Sequence, residues 1–289
     1  MDSQPLWTRQ TLGQLAGLLH APETGAVLAW DLAQRMSLWD TTGALRGEQA
    51  LREVPAAAAL SADGRWIVVS DRAGKLSWYD DRLTLQFEYP TEVTPLALAV
   101  ETYGQYVLLS DRHRRGCLLT RLGMPVVEFE TPRPLHHLAF LLAEASWIGC
   151  SDYGYLGCYN AQGQTRWRDK PLVNIGSFST DGSTLAVLAC YTEGLLLYDP
   201  LKGTGIPVIV PGTCRLARVT ANGKLLFLLR DMPGQGNGSL SLLQCDGTVL
   251  GNLGVPASVA FLAAGPLGTT CIYGTSEGQI VKLAVKTPG

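Results

Sequence analysis

The stretch LSADGRWIVVSD, Leu60 to Asp71, decides how the chain is read, because forty residues later it returns in kind as VETYGQYVLLSD, Val100 to Asp111. Further copies are LLAEASWIGCSD ending at Asp152, FSTDGSTLAVLA ending at Ala189 and VTANGKLLFLLR ending at Arg230. PETGAVLAWD, ending at Asp31, and PLGTTCIYGT, ending at Thr275, are weaker copies and bring the total to seven. Within each copy an apolar run meets a turn (Asp63-Gly64, Gly104, Asp181-Gly182, Asn222-Gly223) that needs positive φ, and a β-branched or aromatic run follows. That is a hairpin of two strands, a and b. A second tight turn (Asp71 to Gly74, Asp152 to Gly154, Ser276 to Gly278) opens strand c, seen in KLSWYD, YLGCYN, GLLLYD and QIVKLAV, and a further turn leads to strand d.

Prolines check the register independently. Pro55, Pro95, Pro134, Pro171, Pro211 and Pro256 fall 40, 39, 37, 40 and 45 residues apart, each just before the next strand a. Proline lacks the ladder N–H and suits a loop leading into a strand. Seven repeats in 289 residues give about 41 residues each, the period of a four-stranded propeller blade. The sequence therefore predicts an all-β, seven-bladed β-propeller occupying residues 1–289 as one domain. The last copy, from Ser258, stops after strand c at Lys286-Thr287. Pro5 to Leu12, PLWTRQTL, has strand character and is expected to supply the missing outer strand d of blade 7, so that neither end blade exposes an unpaired edge.

Composition narrows the function classes. The net charge is −2, which provides no global field for nucleic acid or an anionic membrane, so no nucleic-acid partner is expected. Only 17% of residues are charged, below an average domain, and the charges are expected in the b–c and d–a loops. MDSQPLWTRQTLGQLAGLL has no basic segment followed by an apolar one, and no apolar run is long enough to span a bilayer. No membrane insertion is expected, and the chain reads as cytoplasmic. Seven cysteines form an odd set with no C-x-x-C pair, read as small buried thiols in a reducing compartment.

At the end of strand c the chain reads Ser37-Leu38-Trp39-Asp40, Trp78-Tyr79-Asp80, Cys158-Tyr159-Asn160 and Leu197-Tyr198-Asp199. With the turns before them, these segments resemble the WD40 repeat. The likeness is divergent: the Gly-His pair of that family occurs nowhere, and of two Trp-Asp dipeptides one, Trp30-Asp31, ends a strand b. Blade cohesion is therefore expected to rest mainly on packed aliphatic sheet faces. Asn160 to Lys170, NAQGQTRWRDK, also resembles the aromatic-bearing repeats of PQQ-type propellers, whose dehydrogenase members are exported and ligate a metal.

No Walker, Rossmann or G-x-S-x-G motif is present, and no catalytic residue, metal or cofactor is expected. His136-His137 opens the strand a of blade 4; neighbours along a strand point to opposite faces, so the pair reads as packed histidines rather than ligands of one metal. Asp31, Asp71, Asp111 and Asp152 recur at b–c turns, where an aspartate bonds the backbone two residues on. The WD40 likeness implies that b–c and d–a loops share one face, the top. There Arg72 and Lys75 of blade 2 and Arg112, His113, Arg114 and Arg115 of blade 3 form a basic arc, with Tyr153, Tyr155 and Tyr191 of blades 4 and 5 near the same level. Arginine beside tyrosine is common chemistry for protein docking. The Gly-rich insertion Asp231 to Gly238 lies at the same face.

Two functions stay open at this point. The leading one is a non-enzymatic interaction scaffold or assembly factor that binds one or more proteins through the top face. The alternative is a small-molecule or cofactor site in a central channel, lined by strand a positions such as His136, Ser177 and Arg215.

Overall fold

The computed structural model describes residues 2–91, 94–142, 146–234 and 236–286. Among them are twenty-eight strands and no helix, paired into seven four-stranded antiparallel sheets, the blades of a β-propeller. In blade 2 the strands are Ala57–Leu60, Ile67–Ser70, Lys75–Tyr79 and Leu85–Pro90, laid side by side in chain order. Blades 1 and 3 to 6 follow the same order. Strands a begin at Ala57, Ala97, His137, Ser177, Thr213 and Val259, each a few residues after one of the six spaced prolines. Residues 143–145, Gln235 and Thr287, which the repeat reading includes, lie outside the described residues.

Blade 7 is completed by the N-terminal strand. Asp2–Gln10 pairs antiparallel with Gln279–Lys286, in the register Trp7↔Lys282, Thr8↔Val281 and Arg9↔Ile280. The strand begins earlier than the expected Pro5 and stops short of Leu12. It ends because Thr11 turns the chain: its Oγ1 donates to the Gly13 carbonyl at 2.7 Å and its N–H to the Gly278 carbonyl at 3.0 Å.

Burial follows the position of each strand in its blade. Strand b is buried throughout in blades 1 and 2, as VLAWD and IVVS, because both of its faces and both of its edges are covered. Strand d has one free edge and alternates, as in LRGEQA and LQFEYP. Charge is accordingly not confined to loops, since Arg46, Glu48, Glu88, Glu128, Glu130, Arg166 and Arg168 all stand on outer strands. A free edge tolerates charge and is protected by it.

The chain divides into two compact units, Met1–Leu18 with Trp30–Ala33 and Val173–Gly289, and Leu19–Ala29 with Gln34–Leu172. The first holds blades 5 to 7, and its core is aliphatic: Val187, Leu195, Leu226 and Leu228 between blades 5 and 6, Leu229, Leu240, Leu262 and Leu283 between blades 6 and 7. Hydroxyls add cross-links, with Ser177 Oγ accepting the Ala217 N–H at 2.9 Å and Ser179 Oγ the Val219 N–H at 3.1 Å.

The second unit departs from the aliphatic expectation. Its blades 2 to 4 carry aromatics: Trp78 stacks on Phe87 within blade 2 at 5.5 Å, Trp147 stacks on Tyr159 within blade 4 at 3.9 Å, and Phe129 of blade 3 tilts onto Trp147 of blade 4 at 4.5 Å. Each such pair contributes about 0.5–1.5 kcal/mol beyond the area it buries. Arg121 lies 4.1 Å from the Trp66 ring and donates its Nε–H to the Gly104 carbonyl at 2.7 Å, tying blade 3 to blade 2.

Candidate functional site at the b–c and d–a loops of blades 2 and 3

The b–c turn of blade 3 is built around Asp111. Its Oδ1 accepts the N–H groups of His113 and Arg115, both at 2.8 Å, and its Oδ2 accepts Arg115 Nε at 3.1 Å. The carboxylate is 2% exposed, so it acts as an internal post for the turn. Asp71 does the same in blade 2, accepting the Lys75 N–H at 2.8 Å. Asp31 accepts the N–H of Gly13 at 2.9 Å and so anchors the loop that follows the closing strand. Asp111 thus bonds the N–H two residues on as expected, whereas Asp71 takes the one four residues on, Asp31 takes that of Gly13 outside its own turn, and Asp152 turns its carboxylate to His136 and His137.

Held on that post, Arg112, His113 and Arg114 project outward and are exposed. Arg114 sits at φ 70°, a left-handed conformation that costs a side-chain-bearing residue about 1–2 kcal/mol. The matching position in blade 2 is Gly74, at φ 87°. Arg72 rises from that blade 2 turn, its N–H donating to Glu53 Oε1 at 2.7 Å. Arg72, Arg112, His113 and Arg115 line one recess of about 820 Å³, with Pro55, Ala56, Thr94, Pro95 and Leu96 completing its walls. Arg115 is neutralised by Asp111, whereas among the described residues Arg72, Arg112 and Arg114 have no ion-pair partner.

The remaining members of the expected arc fall elsewhere. Lys75 is turned away into a neighbouring groove of about 340 Å³, where its Nζ meets Glu88 Oε1 at 2.9 Å and Ser77 Oγ donates to the same oxygen. The Lys75 hydrogen bond holds the Glu88 carboxyl below the usual carboxylate range. Tyr155 is 2% exposed, with its hydroxyl bonded to that of Tyr159, and burial pushes its phenol up. It belongs to the core and leaves the docking set, because the b–c turn of blade 4 folds its second tyrosine inward. Tyr153 is exposed, and Arg133 lies 5.6 Å from its ring. Arg133, in the d–a loop TPRPLHH, was not picked out from the sequence, although an arginine between two prolines at the same end of the blade was the available signal. Tyr191 belongs to the other compact unit, where it is exposed at φ 47° and pairs its backbone with Cys214.

His136 and His137 do not diverge as strand neighbours would. The strand starts at His137, so the alternation does not extend to His136. Both imidazoles approach Asp152, His136 Nε2 at 3.3 Å from Oδ2 and His137 Nε2 at 3.8 Å from Oδ1, while His136 Nδ1 accepts the Asp152 N–H. Among the described residues no group of three or more His, Cys, Asp or Glu is arranged to hold a metal. Ser177 is engaged with Ala217, and Arg215 with Asp231 and the carbonyls of Ala257 and Val259.

All seven cysteines are free thiols, six of them buried. Burial pushes Cys190 up to about 12 and Cys214 and Cys245 up to about 11. No helix of the described residues is long and apolar enough to cross a membrane. Family models return no match to the chain, and no curated protein matches it.

Proposed function

We propose that this chain is a non-enzymatic interaction module, a scaffold or assembly factor that docks an acidic segment of a partner protein in the basic recess of blades 2 and 3. One observation carries the reading: Arg114 stands where the equivalent turn uses Gly74, beside Arg72 and Arg112, whose guanidinium groups form no ion pair among the described residues. A turn under no other demand is better served by glycine there. Unpaired arginines around a recess steer and orient an acidic partner, and Tyr153 with Arg133 extends the same chemistry onto blade 4. Kinship with WD40 repeats and a cytoplasmic setting belong to the same proposal, supported by the repeat pattern and the free thiols.

The test is fluorescence anisotropy with a labelled Glu-rich peptide. Saturable binding is expected, weakened about tenfold or more by the triple change R72E/R112E/R114E and by raising ionic strength. Equal affinity of the wild-type and reversed chains would remove the recess as the docking site.

A further inference from the structure

Arg230, near the end of the strand b Leu225–Asp231 in blade 6, is 5% exposed. Its Nη1 donates to the Pro211 carbonyl at 2.9 Å and its Nη2 to Asn252 Oδ1 at 3.1 Å, while its Nε–H meets no acceptor. The adjacent carboxylate, Asp231, is turned to Arg215 at 3.2 Å, and among the described residues none forms an ion pair with Arg230.

Strand pairing identifies what Arg230 replaces. It lies opposite Ser239, and Ser241 lies opposite Asn252. In blade 2 the Asp71 N–H bonds to the Lys75 carbonyl, and Ser77 lies opposite Glu88. Asp71, Lys75 and Glu88 thus become Arg230, Ser239 and Asn252. Blade 1 carries Asp31, Arg35 and Glu48 at these positions, and blade 3 carries Asp111, Arg115 and Glu128. Three blades supply two acids and one base, whereas blade 6 supplies one base and no acid. A buried guanidinium without an anion is costly, and the fold has removed both carboxylates that would answer it.

Beside Arg230 lies a groove of about 540 Å³, lined also by Met232, Ser239, Asn252, Leu253 and Gly254. Gly254 faces open space where a Cβ would stand. We propose that this groove binds a carboxylate, which accepts the Nε–H and a second N–H of Arg230 while its carbon chain rests on Leu253 and Met232. A single planar fork flanked by a neutral hydroxyl and amide suits a carboxylate better than a dianionic phosphate. The carboxylate comes either from a free small acid or from an acidic side chain of a protein. The site is independent of the recess on blades 2 and 3.

The test follows the Arg230 Nε–Hε signal in the full chain labelled with 15N-arginine, assigned by its loss in R230K. Glutarate, a blocked pentapeptide with one central Glu, and inorganic phosphate are titrated separately. A saturable shift with glutarate assigns a free acid, and one with the peptide alone assigns a protein side chain. No saturable shift with either, or tighter binding of phosphate than of both, would overturn the proposal. Asn252→Glu keeps the test valid if R230K does not fold. Restoring the acid that blades 1 to 3 carry is expected to raise Tm and abolish the response to glutarate and peptide. An unchanged or lowered Tm with no loss of response would overturn it.

Discussion

Arg114 occupies at φ 70° the left-handed position that Gly74 fills at φ 87° in the preceding blade. The substitution Arg114→Gly is expected to raise stability by about 1 kcal/mol, by relieving the conformational penalty, while weakening binding of an acidic peptide. Urea unfolding beside anisotropy reads both quantities on one variant. Loss of stability would show that the guanidinium serves the fold instead.

Asp111 holds its loop through two backbone N–H groups and the Arg115 guanidinium. Asp111→Ala leaves three donors without their acceptor and is expected to cost about 2–3 kcal/mol. The loss should appear as a lower urea midpoint, together with faster amide exchange at His113 and Arg115. Exchange rates equal to wild type would mean that the turn is held by other contacts.

Closure of blade 7 predicts a third outcome. Trp7 is 7% exposed, lies opposite Lys282, and has the Lys282 Nζ 6.0 Å from its ring centroid. Trp7→Ala should cost about 3–5 kcal/mol. Deleting residues 1–10 should go further, exposing the edge of Gln279–Lys286 and producing self-association on size exclusion. A monomeric, fully stable truncation would contradict the pairing.

Tyr89 gives a pH dependence whose sign is fixed. Burial pushes its phenol up to about 12, against the hydrogen bond from Trp78 Nε1, which pulls the other way. The unfolded chain releases this proton near 10, so the folded state binds more protons between those values. The stability contribution is complete below pH 10 and is lost as pH rises from 10 to about 12. Urea midpoints across that window should fall more steeply for wild type than for Tyr89→Phe; parallel curves would refute the assignment.

What the sequence made legible was the part governed by local backbone chemistry. The turns at Asp63-Gly64 and Asn222-Gly223, and the prolines before the strands a of blades 2 to 7, mark the blade period because only certain residues suit those backbone positions. The closing strand was legible from the strand character of Pro5 to Leu12, which falls largely within the strand paired with Gln279–Lys286. Its limits were not, because they depend on Thr11 bonding across to Gly278. Surface assignment by loop position succeeded for Arg72 and Arg112 and failed for Tyr155, since side-chain direction within a turn is set by what lies beneath it, here Tyr159. The reversed charge set of Arg230, Ser239 and Asn252 was hidden, because it exists only once strand register aligns residues from three strands with their counterparts in other blades.

The docking claim is tested most directly by affinity purification of the full chain from its native source, comparing wild type with R72E/R112E/R114E by quantitative mass spectrometry. The account predicts that a defined partner recovered with wild type is lost with the variant, while the thermal melts of the two proteins coincide. Equal recovery of that partner by both would contradict it.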